Sequence, residues 1–91
     1  MLITRTTKQF EKDFKRAKKR GKDMEKIKTV MRKLAKEETL EEKYREHKLT
    51  GDYKGHRESH IEPDWLLIYK LDNKNESITF ERTGSHSDLF E

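Results

Sequence analysis

The chain contains no cysteine, and that absence removes disulfides, a thiol nucleophile and cysteine-ligated zinc together. It is also poor in apolar residues, with 30% hydrophobic against 44% charged. In an aperiodic chain that balance would mean disorder, so the fold must come from the spacing of a few apolar residues around a thin core. No segment is long and apolar enough to cross a membrane, and MLITRTTKQF at the start lacks the pattern of a signal peptide. A cytoplasmic location without membrane contact is therefore expected. No repeat, linker or low-complexity stretch divides the 91 residues, and a second core would leave each half too short to bury enough surface. One domain over residues 1–91, carrying one site, is expected.

What is abundant is charge of both signs. Lys and Arg number 22 and Asp and Glu 18, a net charge of +4 that favours a polyanionic partner: RNA, DNA, the ribosome or an acidic protein. The basic residues crowd the first half, in KDFKRAKKRGKD and KIKTVMRKLAK, whereas all four histidines lie in the second. This asymmetry suggests helices for charge and a sheet for chemistry, although a Lys-rich amphipathic helix is equally well explained as a solvated face.

Residues Leu2–Thr6 carry β-branched side chains and predict a short strand. Thr6 or Thr7 can cap a helix whose Phe10, Phe14 and Ala17 repeat at helical spacing, and Gly21 stops it. Asp23 can cap a second helix with Met24, Ile27, Val30, Met31 and Leu34 on one face. So short a connection predicts a helical hairpin packed on another layer. That layer is the second half, where His56–Ile61, Trp65–Leu71 and Ser77–Arg82 read as strands joined by Glu62-Pro63-Asp64 and Asp72–Asn75. WLLIYKL hardly alternates, so it should be central with both faces covered. The expected fold is α+β: a small antiparallel sheet with an N-terminal strand and the two-helix hairpin on one face, in the order β-α-α-β-β-β.

Histidine both takes and gives protons near neutral pH, so His47, His56, His60 and His86 are the first candidates for chemistry. His56 and His60 have the H-x3-H spacing of zinc ligands on a helix. On a strand, at about 3.3 Å per residue, they stand about 13 Å apart, too far for one ion, and no metal is expected there. The tail ERTGSHSDLF places Arg82, Ser85, His86 and Phe90 together. A guanidinium can hold a phosphate, an imidazole can move a proton and a phenyl ring can stack on a base. A chain end in which Gly84 makes a turn and Leu89 and Phe90 merely cover the core is an equally plain reading. Strand parity puts Arg82 on the side of Ile78 and Phe80, both core candidates, so the strand must bend, bulge or end before Arg82 to expose it.

EHKLTGDYKGHRESHIEPDWLLIYKL followed by FERTGSHSDLF resembles the signature of YafQ-type toxins of the RelE superfamily, through H-x-L-x-G, R-E-S-H-I-x-P-D-W and R-T-G-S-H-x-x-L-F. The helical stretch FEKDFKRAKKRGKDMEKIKTVM is similar to that family's N-terminal hairpin but less specific. The resemblance implies a RelE-like fold and an endonuclease that cuts messenger RNA on the ribosome, without metal or cofactor, held inactive by a cognate antitoxin. It also implies that His47, His60, Asp64, Arg82, His86 and Phe90 are functional. His86 is expected as general acid, His60 and Asp64 on the base side, and His47 in either step. Arg82 would hold the scissile phosphate and Phe90 would stack on a nucleotide. Trp65 would support the site, and His56 stands outside the chemistry, where relatives often carry an aromatic. Glu38–Arg45, ETLEEKYR, departs from the family by lacking prolines. The main alternative within the superfamily is a ParE-like toxin that binds gyrase and cuts nothing. A basic nucleic-acid-binding module without chemistry is a third reading, which explains the charge but not the histidines.

Overall fold

In a computed structural model of the chain, which describes residues 1–90, both helices of the first half begin at a capping side chain. Helix α1 (Lys8–Lys19) starts at Thr7, whose hydroxyl accepts the Phe10 amide at 2.9 Å. It stops at Gly21, at φ +80°, where the Lys22 amide donates to the Ala17 carbonyl and the Gly21 amide to that of Lys18, both at 3.1 Å. This is a Schellman end, and it needs the left-handed conformation that glycine adopts without penalty. Helix α2 (Met24–Ala35) starts at Asp23, which accepts the Glu25 amide at 3.1 Å.

Strands β1 (Ile3–Thr6), β2 (His47–Lys48), β3 (Arg57–Glu62), β4 (Trp65–Asp72) and β5 (Ser77–Gly84) form one sheet in the order β1-β5-β4-β3-β2. The β3-β4-β5 meander is antiparallel, as its short turns require. Two features extend the expected sheet. Strand β1 lies along β5 in parallel, Ile3 opposite Ser77, so the sheet is mixed. His47 and Lys48 add a two-residue edge strand, with His47 opposite Glu58. A third helix, α3 (His86–Phe90), closes the described chain.

Strand β4 is central, which explains why its sequence does not alternate. Trp65, Leu67 and Tyr69 pack against Phe10, Ile27 and Val30 of the helices, whereas Leu66 and Ile68 turn the other way and are covered by Leu89, Leu49 and Tyr53. All five consecutive β4 residues are buried, and at roughly 1.5–3 kcal/mol each they anchor both layers. Past the end of β1 the outer edge of β5 would be bare, and side chains of the first helix and its N-cap cover it. The Thr7 hydroxyl donates to the Glu81 carbonyl at 2.9 Å and the Asp13 carboxylate accepts the Thr83 amide at 3.2 Å, so buried backbone polar groups are paired.

One register slip decides what β5 presents. Tyr69 lies opposite Phe80 but Ile68 lies opposite Arg82, leaving Glu81 as an extra residue. The bulge moves Arg82 off the helix side, where Ile78 and Phe80 are buried, onto the side of Ile68. Such a break is what the parity of the strand demands.

Candidate active site

Cross-strand partners share a face of the sheet, so the registers define two rows on the side away from α1 and α2. One row runs His47, Glu58, Ile68, Arg82 across β2, β3, β4 and β5. The next holds His60, Leu66 and Gly84. Ile68 and Leu66 are the apolar floor, and the polar ends of each row rise over it.

At one end, Glu58 is a buried carboxylate, 4% exposed. Its Oε2 lies 3.0 Å from His47 Nε2 and 3.3 Å from His60 Nε2. His47 Nδ1 faces the Arg45 carbonyl at 2.8 Å, and His60 Nδ1 the Pro63 carbonyl at 3.4 Å. A carbonyl can only accept, so each Nδ1 carries a hydrogen. Both Nε2 atoms then face the same carboxylate oxygen.

At the other end, His86 opens α3 and is held by Asp64, which was expected on the base side with His60 but is bonded instead to the expected acid. The Asp64 Oδ1 accepts the His86 backbone amide at 2.9 Å and its ring Nδ1 at 2.7 Å. The backbone bond, followed by the ring, holds the Asp64 carboxyl below the usual carboxylate range. With Nδ1 tied as a donor, Nε2 of His86 is the atom free to transfer a proton. The His86 ring is 5.9 Å from that of His60, which is 5.9 Å from that of His47. The row continues through Phe90, 6.3 Å from His86 and 46% exposed, to Tyr53 at 5.7 Å.

Helix α3 is seated by a reciprocal cap. The Ser85 amide donates to Asp88 Oδ2 at 3.0 Å and the Asp88 amide to Ser85 Oγ at 3.1 Å, the capping-box arrangement. Arg20 Nη1 lies 2.7 Å from the same Oδ2, and this guanidinium, with the Ser85 amide, holds the Asp88 carboxyl far below its ordinary range. Leu89 plugs the sheet, so His86 and Phe90, four residues apart, share the open face. Gly84 makes the close approach possible. A Cβ there would meet Asp88 Cβ and Oδ2 at 2.9 Å and Arg16 Nη2 at 3.3 Å. Gly84→Ala is accordingly expected to lower stability by about 1–3 kcal/mol in urea unfolding and to reduce activity by displacing His86; an unchanged midpoint would show that α3 adjusts.

Of the residues expected to act, the structure gathers His47, His60, Asp64, His86 and Phe90 into one row of side chains. Arg82 adjoins them on the same side of the sheet, with the Tyr53 hydroxyl beside its guanidinium. Its Nε and Nη2 are taken by Asp13, at 2.7 and 3.3 Å, and this pairing raises its pKa further. Trp65 is on the opposite side, its Nε1 donating to Thr83 Oγ1 at 3.0 Å, a structural place. His56 stands apart, near Glu81 at 3.7 Å and edge-on to Tyr53. Glu58, Tyr53 and Asp13 were not singled out from the sequence. Only Glu58 had a signal, since it is two residues before His60 on a strand and shares its face.

The H-x3-H pair is not brought together. Instead His47, Glu58 and His60 offer three ligand atoms within 4.8 Å of one another, a donor set of imidazoles and a carboxylate that suits zinc or copper.

Residues 2–91 match the family model described as bacterial toxin of type II toxin-antitoxin system, YafQ. The chain is 49% identical over 83 residues to the mRNA interferase toxin YafQ of Escherichia coli K12, covering 90% of this chain and 88% of that one. Its structure is similar to the toxin in the crystal structure of the E. coli DinJ-YafQ complex, with a TM-score of 0.92, 43% identity and complete coverage of both chains. It is equally similar to a metal-bound toxin from Helicobacter pylori, at 0.93 and 41%, over 99% of this chain and all of the other.

Proposed function

This chain belongs to the YafQ family of bacterial toxins of type II toxin–antitoxin systems, and from that premise we propose that it is an mRNA interferase: a metal-independent endoribonuclease that cuts messenger RNA on the ribosome. Its partners are a cognate antitoxin, the ribosome and the message, its place the cytoplasm, and all 91 residues serve as one toxin domain. The observation that carries the reading is the facing pair of proton carriers: His86, tied by Asp64 with Nε2 free, 5.9 Å across from His60, which shares a buried Glu58 with His47.

Cleavage by the RNA's own 2′-hydroxyl needs a base, an acid and a cation. A base of the His47–Glu58–His60 group takes the 2′-hydroxyl proton as the oxygen attacks phosphorus. The bond to the 5′ oxygen breaks, leaving a 2′,3′-cyclic phosphate, and His86 Nε2 protonates the departing oxygen. Arg82 stabilises the charge added to the phosphate, while Phe90, with Tyr53 edge-on beside it, offers a ring to a neighbouring base. Lys26, Lys43 and Arg45 rim a hollow of ≈ 460 Å³ next to His60 and add to the attraction for a polyanion.

Purified protein incubated with translating ribosomes and a defined message is expected to cut at discrete sites with a transition-metal-selective chelator present and magnesium kept in excess for the ribosome. Excess zinc should suppress cutting by occupying His47, Glu58 and His60. Intact message, with inhibition of gyrase supercoiling in a parallel reaction, would sink the nuclease reading in favour of a gyrase-binding toxin. Loss of cutting with that chelator, restored by a transition-metal ion while magnesium is held constant, would overturn the metal-independent mechanism.

A further inference from the structure

Asp13 takes no part in the chemistry above, yet it is the most deeply buried carboxylate of the described residues, 2% exposed. Burying a carboxylate is costly unless it is densely paired, and Asp13 is. Its Oδ2 accepts Arg82 Nε at 2.7 Å and the Thr83 amide at 3.2 Å. Its Oδ1 accepts Arg82 Nη2 at 3.3 Å, Arg16 Nη2 at 3.3 Å and Gln9 Nε2 at 3.1 Å.

The geometry points to Asp13 as a positioning residue that aims the Arg82 guanidinium at the scissile phosphate. The inference rests on the reading of Arg82 as the phosphate-binding cation. Asp13 grips the side edge of the guanidinium, Nε with Nη2. Asp13 leaves the outer edge, Nη1 with the second hydrogen of Nη2, to the open side, where the Tyr53 hydroxyl lies beside the guanidinium and phosphate oxygens would take its place in two parallel bonds. Arginine has many rotamers, and fixing one before substrate arrives removes an entropic cost from the transition state. A buried carboxylate paired with one arginine alone would cancel the charge the reaction needs. Here it is shared: Asp13 also holds Arg16, Arg16 lies 3.7 Å from Asp88, and Arg20 2.7 Å from Asp88. Three guanidiniums against two carboxylates leave the cluster one positive charge. Asp13 and Arg16 of α1 and its C-cap Arg20 follow one another at helical spacing, so this face aims Arg82 and seats the helix that bears His86.

Asp13 also covers the edge of β5 through the Thr83 amide, so a purely architectural role must be told apart. The experiment is single-turnover cleavage of a message on translating ribosomes by Asp13→Asn, Arg82→Ala and the double variant. Asp13→Asn is expected to lower the rate at saturating substrate tenfold or more, with a smaller change in the substrate concentration giving half the maximal rate. The double variant should be no slower than Arg82→Ala alone, because an aim has no value without the arginine. The Arg82 Nε–H signal in nitrogen-15 NMR should exchange slowly in the wild type and rapidly in Asp13→Asn. Asp13→Glu, which keeps the charge but displaces it by a methylene, covers the case in which Asn unfolds the chain, and it too should be folded and slowed. A wild-type rate in a folded Asp13 variant, or effects of the two substitutions that multiply in the double variant, would overturn the inference. Full activity in Arg82→Ala would instead remove the reading of Arg82 on which it rests.

Discussion

Replacing His86 by alanine is expected to lower cleavage of a ribosome-bound message by about 10²- to 10⁴-fold, the usual contribution of a placed general acid. The fold should survive, because the side chain is 55% exposed and packs no core. What is lost is the proton on Nε2, without which the 5′ oxygen departs as an alkoxide. Binding should change little, so the effect belongs in the maximal rate. Asp64→Asn is the graded control. It keeps an acceptor for the His86 amide but withdraws the negative charge from the ring, and should slow the reaction less than loss of the imidazole. The pH behaviour follows from the depressed Asp64 carboxyl. A carboxyl held below its ordinary value contributes fully above that value, about pH 4, and fades as pH falls through the depressed value of the folded state. The tie between Asp64 and His86 is therefore intact throughout the neutral range, and any loss of rate between about pH 5 and 7 comes from other groups. A His86→Ala protein that still cuts at the wild-type rate would remove the acid assignment.

The second large effect is expected at Glu58. Glu58→Gln preserves size and shape but cannot share a proton with His47 and His60, whose Nε2 atoms lie 3.0 and 3.3 Å from one carboxylate oxygen. Loss of a general base, or of the anion that fixes the base, costs about 10²–10⁴ in rate. The unfolding midpoint should change little, since Gln keeps the size of the side chain and an oxygen facing both Nε2 atoms. A Gln variant within a few-fold of wild type would make Glu58 a structural partner and leave the base among the histidines. Measuring His47→Ala and His60→Ala beside it assigns the base step: the imidazole whose removal matches the Glu58→Gln loss carries the proton.

Much of the site was legible because strands have a period of two. Glu58 and His60 share a face by sequence position alone, and the same parity showed that Arg82 could reach the site only through a break in β5. Where the break falls could not be read. It lies at Glu81 because β1 has ended, freeing the outer edge of β5 for Thr7 and Asp13. The Ser85-x-x-Asp88 box was also in plain view and marks the start of α3, although the segment reads equally well as a chain end. His47 carried no such signal, since it reaches Glu58 through an edge strand of two residues beyond a loop without periodicity.

By itself the sequence determined the helices, the meander and the family. Those rest on local quantities: caps at Thr7 and Asp23, the stop at Gly21, apolar spacing, short turns and the motifs around His47, His60 and His86. Only the tertiary structure decided that β1 lies parallel along β5, that Glu58 joins two histidines and that Asp13 of the first helix grips Arg82 of the last strand. Glu58 with His47, Asp13 with Arg82 and Ile3 with Ser77 stand 11, 69 and 74 positions apart, and no pattern along the chain records a partner that only packing and register bring within reach.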